Sequence, residues 1–282
     1  MLTIPQTLDL QADIAAHKAD GLKNPVRFLV SGMLAGAYIG IGVILMVSAA
    51  GPLLAAGDGF AKLVSGVVFS AALTIVVFAG SDLATSAMMI LPQGTLMRSV
   101  GVGKASGALV FTFIANFIGA FVFAWLIVLS EVLESNRAAG SMLEGMLEAK
   151  AHETPLELFA RGILCNVLVC LAIWMGTRVK SDGVKIALIF IAITAFITSG
   201  FEHVVANMTT YWIGVLSADP NATAAHFGAN MVWVGLGNLV GGAIIMGLGY
   251  WFVGGSPRNA LVPLKDDSET EPVAMTQDVK LG

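Results

Sequence analysis

The sequence predicts an all-α membrane protein: six transmembrane helices in two inverted three-helix repeats, with helices 2 and 5 broken partway. Three observations predict it. The 282 residues are 56% hydrophobic and only 12% charged, with a mean hydropathy of +0.83, whereas a soluble domain carries about a quarter charged residues. The uncharged runs reach the roughly 20 residues that a bilayer span requires. Two of those runs are interrupted by ionisable residues beside glycines, at matching places in the two halves.

The elements follow in chain order. Residues 1–27 are polar and of mixed charge, without the apolar stretch and small-residue cleavage site of a secretory signal. Within them, residues 5–23 suit either a short amphipathic helix on the cytoplasmic face or a frayed terminus. Residues 28–57 form the first span. Residues 63–97 are too long for one simple span and too short for two, so they form one crossing broken at Gly80-Ser81-Asp82. Residues 105–130 form the third span. The fourth covers 162–177, extended back through Arg161 to Pro155. Residues 186–218 form the fifth, broken at Gly200-Phe201-Glu202, and 220–257 the sixth. The membrane domain is thus 28–257, and 258–282 is a flexible cytoplasmic tail.

Lys62, Arg137, Lys150 and Arg161 fall on one side of the membrane. The other eleven of the 15 Lys and Arg residues fall on the opposite side. The side richer in cations is the cytoplasm, so both termini lie inside. The net charge of −4 gives no sign of a nucleic-acid partner. Cys165 and Cys170, inside an apolar run, read as small core residues.

The halves resemble each other. Pro25 and Gly32 open the first span as Pro155 and Gly162 open the fourth. The breaks at Gly80 and Gly200 correspond, as do Asn116-Phe-Ile-Gly119 and Asn238-Leu-Val-Gly241. Repeat 1 is therefore about 25–134 and repeat 2 about 155–254. Three crossings per repeat make the second inverted, an arrangement that places sites near the bilayer midplane. A broken helix survives in a membrane only inside the protein or against a water-filled cavity. The half-helix N-termini at a break present positive dipole ends, which suit an anion.

His203 is the only one of the four histidines placed deep in the membrane, and it stands at the second break beside Glu202. Such a residue is a functional candidate by default. Glu202 and Asp82 are expected to cap the exposed amides of the breaks. Thr85 suits either a cap or contact with a permeant ion. Asn166 and Asn207 are buried amides in need of partners. Lys150, near Glu144 and Glu148, reads either as a solvated ion pair or as a charge drawing anions into an outer vestibule. One histidine with no HExxH or CxxC spacing implies no metal, and no segment calls for a cofactor.

The segments GSDLATS, ILCNVLVCLAIW, SGFEHVVANM and WVGLGNLVGGAIIMGLGYW resemble the signature segments of the formate/nitrite transporter family, the latter two being nearer its nitrite branch. The resemblance implies an aquaporin-like protomer assembled as a homopentamer in the inner membrane, with one pore per protomer. It implies a substrate pathway of His203, Thr85, Lys150, Glu202, Asn207 and Asn166, and apolar constrictions at Phe69, Leu73, Leu83 and Phe196. The family often has an aromatic residue where this chain has Ala84, so Met88 or Met89 is a candidate for that closure. The function implied is a channel or transporter, not an enzyme, for a small monovalent anion such as nitrite, with a proton linked at His203 and lipid as its surroundings. Formate, another small monocarboxylate or hydrosulfide is the alternative substrate. An aquaporin-type pore would want paired Asn-Pro-Ala motifs, which the breaks lack. An intramembrane hydrolase would need Ser199 and His203 in hydrogen-bond contact.

Overall fold

The computed structural model describes residues 1–256, and among these every regular element is helical. The expected tail at 258–282 lies outside the described residues. Five helices are long and apolar enough to cross a membrane: α2 (Pro25–Ala55), α3 (Ala61–Phe78), α5 (Val102–Leu129), α8 (Pro155–Arg178) and the last helical run, Ala224–Val253. Their outward faces carry large apolar side chains such as Val110, Ile114, Leu126 and Ile244. Helices apolar all round fit a lipid environment.

Two shorter helices complete interrupted pairs. α4 (Ala84–Leu96) follows α3 after a non-helical stretch at 79–83. α9 (Asp182–Thr198) is followed by α10 (Val204–Leu216) after a matching stretch at 199–203. Gly80 and Gly200 turn the chain at φ +72° and +75°, a region in which a side chain is costly and glycine is not.

Residues 4–20 form a helix, α1 (Ile4–Asp20), rather than a frayed end. Its start is a capping box between Thr3 and Gln6. Leu8, Ala12, Ala15 and Ala19 make its buried stripe, which packs against α4. On the other side of the membrane domain, after the one-turn α6 (Val132–Ser135), α7 (Arg137–His152) buries Ala139, Leu143, Leu147 and Lys150 at the same helical spacing. A second capping box, Thr154 with Glu157, starts α8. The last run begins as α11 (Ala224–Leu239), widens to a π-helix over Val240–Leu248, and ends as α12 (Gly249–Val253).

The halves pack alike: α2 lies on α5, α8 on α11, and α3 on α9. Small residues make the first two crossings close. A Cβ on Gly119 would stand 1.9 Å from the Met33 carbonyl oxygen, and one on Gly237 would stand 2.2 Å from that of Phe159. Only glycine lets the backbones approach that near.

Candidate functional site

Each break leaves amide groups at the start of a half-helix without intrahelical partners. An asparagine from the facing helix satisfies the first of them in each half. Asn116 Oδ1 accepts from the Ala84 N–H at 2.8 Å, while its Nδ2 donates to the carbonyls of Gly32 and Asp82, both at 2.8 Å. Asn238 Oδ1 accepts from the Val204 N–H at 2.9 Å, while its Nδ2 donates to the carbonyls of Gly162 and Glu202 at 2.7 and 2.9 Å. Both asparagines are fully buried. The carboxylates do not cap, contrary to the expectation from sequence. A cation sits on each of them instead, and a side chain from another helix was better placed to reach the amides.

Those cations come from the amphipathic helices. Lys150 of α7 bonds both carboxylate oxygens of Glu202, at 2.6 and 2.5 Å. Asn207 Nδ2 donates to Glu202 Oε2 at 2.6 Å and to Asn230 Oδ1 at 2.8 Å. Lys18 of α1 pairs with Asp82 in the other half, and Ser31 Oγ donates to Asp82 Oδ2 at 2.8 Å. Lys150 is buried against Glu202 and is not the solvated partner of Glu144 and Glu148 that its neighbours in sequence suggested. Removing a desolvated charge's partner costs far more than breaking a surface pair.

The two breaks meet at one contact. His203 Nε2 lies 3.0 Å from Thr85 Oγ1, and both residues are buried. His203 is itself the N-cap of α10, its Nδ1 accepting from the Ala206 N–H at 3.1 Å. Since Nδ1 accepts, the neutral ring carries its proton on Nε2 and donates it to Thr85. With both ring nitrogens occupied, neither is left for Ser199, which removes the hydrolase arrangement. Asn166 Nδ2 bonds the carbonyls of Thr85 and Asn238 at 3.1 and 2.6 Å, while its Oδ1 is buried without a partner. The change to π-helical winding begins two residues after Asn238, and such windings accompany side-chain insertions into a helix's hydrogen-bond ladder.

A cavity of about 300 Å³ ends on His203 and is lined also by Lys150, Glu202, Phe69 and Phe196. The rings of Phe69 and Phe196 meet edge to face, centroids 5.9 Å apart, and Phe196 stacks 6.0 Å from the His203 ring. Leu73, Leu83 and Ala84 are buried in the same apolar cluster. Met88 lies against Asn166 and Gly242, and Met89 is fully buried toward α1. Among the described residues no group of His, Cys, Asp and Glu could hold a metal.

The sequence profile of the formate/nitrite transporters matches residues 5–252. The chain belongs to the formate/nitrite transporter family. It is therefore a multi-pass membrane transport protein and not an enzyme. The nitrite transporter NirC of Escherichia coli (strain K12) is 38% identical over 241 residues, 81% of this chain and 84% of that one. The formate channel FocA of Haemophilus influenzae is 33% identical over 270 residues, 88% of this chain and 93% of that one. Among solved structures, an FNT family ion channel superposes with a TM-score of 0.81 at 36% identity, covering 88% of this chain and 98% of that channel. A pentameric formate channel with formate bound superposes at 0.71 with 25% identity, covering 82% and 98%.

Lys18, Glu153 and Arg161 carry no local sequence pattern that marks them as part of the site. Glu153 and Arg161 also line the cavity. Arg161 Nη1 donates to Glu153 Oε1, and Oε2 of the same carboxylate is buried with no partner. Burial pushes the Glu153 carboxyl above its ordinary range and the nearby Glu202 charge adds to this, while Lys150 and Arg161 oppose it. A signal was present for the two asparagines: an amide in an otherwise apolar run must find partners.

Proposed function

We propose that this protein conducts a small monovalent anion, nitrite foremost, through a pore in each protomer of a homopentamer in the inner membrane. Each protomer has six crossings, counting α3 with α4 and α9 with α10 as one broken crossing each. The two halves are inverted repeats of an aquaporin-like protomer, and both termini lie in the cytoplasm. The symmetric bonds of Asn116 and Asn238 and the matching Lys18–Asp82 and Lys150–Glu202 pairs support the repeat. The pentameric formate channel and the FNT family ion channel support the assembly and fold.

The contact of Thr85 with His203 carries the reading. It joins the two breaks at the floor of a cavity walled by Phe69 and Phe196. Beyond it, Leu73 and Leu83 form the inner apolar closure. A bare anion crosses such closures at high cost. Lys150 and the half-helix N-termini draw the anion in. Glu202 and Asn207 hold Lys150, and Asn166 holds the Thr85 backbone. At the centre the anion replaces Thr85 as acceptor of the His203 Nε2–H. Transfer of that proton makes the neutral acid, which crosses the inner closure. The ring stays neutral only if Nδ1 takes up a proton from the outer side as Nε2 loses its own, and Nδ1 must leave the Ala206 N–H to do so. Proton and anion thus move together.

Formate is the second reading, favoured by the formate channel relatives and by the formate bound in one similar structure. The test is His203→Phe reconstituted in vesicles, with nitrite, formate, chloride and glycerol offered in turn. Proton-linked nitrite uptake should vanish while the pentamer stays intact. Unchanged pH-sensitive flux would remove His203 from the mechanism, and glycerol flux in place of anion flux would overturn the substrate class.

A further inference from the structure

We propose that Glu153 sets the charge of the outer vestibule: ionised, it holds Arg161 in an ion pair, and protonated, it releases the guanidinium to face an entering anion. The inference rests on the anion-conducting reading above and names a positioning residue within it.

The geometry is that of a buried acid beside a half-exposed base. Glu153 is the C-terminal cap of α7, three residues after Lys150 and just before the capping box that starts α8. Its side chain is 9% exposed and that of Arg161 is 41% exposed. Arg161 is also bound to the broken segment, since its carbonyl accepts from the Glu202 N–H at 3.3 Å. The pair therefore neighbours the Lys150–Glu202 bond, and all four residues line the same cavity. One oxygen of Glu153 has Arg161 as its partner and the other has none. An ionised carboxylate with an orphaned oxygen out of water is a poorly satisfied anion. Protonation relieves that deficit, because the neutral acid needs less solvation.

The charges that face Glu153 come from every neighbouring element. They are Lys150 of α7, Glu202 of the second break, Arg161 and Glu157 of α8, and Lys62 at the start of α3; His203 and the phenol of Tyr211 on α10 are the remaining titratable groups nearby. The cavity lining itself has three cations, Lys62, Lys150 and Arg161, against two carboxylates, Glu153 and Glu202. Protonating Glu153 doubles the net positive charge there, from one to two. Lys150 stays committed to Glu202 at both oxygens, so Arg161 is the cation that Glu153 has in its gift. The raised carboxyl described above brings this change nearer to neutrality than an ordinary glutamate would. Its sign follows: the vestibule attracts anions most at low pH and loses that attraction as pH rises through the Glu153 titration.

The experiment compares wild type, Glu153→Gln and Glu153→Asp, full-length and reconstituted in vesicles, with protein-free vesicles as the blank for passive acid leak. Nitrite flux is measured against concentration at about pH 5 and about pH 8. In the wild type the KM should be higher at the upper pH, and any fall in kcat that the proton linkage itself produces should be the same in all three proteins. Glu153→Gln should lower the KM at the upper pH by about tenfold and leave it flat with pH. Glu153→Asp, which keeps a titrating group, should retain the pH-dependent KM. A merely structural Glu153 would instead change kcat or protein yield alike in both variants, which would overturn the proposal. So would a Glu153→Gln channel whose KM follows pH as the wild type does. Infrared difference spectra taken across the same pH range give a readout independent of transport: a carboxyl band present in wild type and lost in Glu153→Gln supports the titration, and its persistence in the variant refutes it. Absence of flux with nitrite and formate alike overturns the anion reading, and the infrared result still decides whether Glu153 titrates.

Discussion

Replacing Asn238 by alanine tests the idea that one buried amide holds the second break in shape. The side chain makes three hydrogen bonds, to the Val204 N–H and to the carbonyls of Gly162 and Glu202, at 2.9, 2.7 and 2.9 Å. The Val204 amide opens a helix, so no intrahelical acceptor replaces the lost one. A buried donor left without a partner costs about 1–3 kcal/mol, and the two carbonyls, each keeping a second lone pair, add less. The sum is about 2–5 kcal/mol. Because His203 directly precedes Val204 and caps the same half-helix, the loss should also misplace the imidazole relative to Thr85. Purified Asn238→Ala should melt at least about 5 °C below wild type, and its nitrite flux in vesicles should fall. Asn116→Ala, with three bonds of 2.8 Å, should lose a similar amount of stability. An Asn238→Ala protein with unaltered melting and unaltered flux would refute the assignment of this amide as the clamp of the break.

Further outcomes follow from the same geometry. Lys150→Met leaves Glu202 charged, buried and unpaired, and should destabilise the protein by about 3–5 kcal/mol; adding Glu202→Gln should recover most of that loss in a thermal melt. Lys104, foremost, and Lys23 hold the Asp20 carboxyl below its ordinary 3.8. That contribution is complete above the ordinary value and fades only as pH falls through the lowered one. Protection factors of the α1 amides, with the intrinsic pH dependence of exchange divided out, should therefore stay constant between about pH 5 and pH 8, while Lys18→Ala, which severs α1 from Asp82, should lower them throughout; a fall in α1 protection across the neutral range of the wild type would contradict this. Gly119→Ala places a Cβ 1.9 Å from the Met33 carbonyl oxygen and should force α5 off α2, read as loss of the assembled peak in size-exclusion chromatography.

Much of the molecule was legible in one dimension. Hydropathy marks the spans because every backbone polar group in lipid must be satisfied within its own helix or against the protein. The glycines at 80 and 200, with an ionisable residue two positions on, mark the breaks because few other residues accept that turn. His203 stood out as the lone histidine in an apolar setting, and Thr85 and Asn166 were named as candidates beside it. Contact between residues far apart in the chain was not legible. Thr85 and His203 lie 118 positions apart, and no local pattern pairs them.

What sequence alone determined, then, is where the chain enters the membrane and where it must break, since both depend on local composition. Tertiary structure decided who satisfies the breaks. The carboxylates nearest in sequence looked like the caps, yet Asn116 and Asn238 took that role from the facing helices, leaving Asp82 and Glu202 to bind Lys18 and Lys150. The reason is geometric. A group buried without water takes whichever partner the packed helices bring within about 3 Å, and that distance is set by the crossing of two helices, not by separation along the chain.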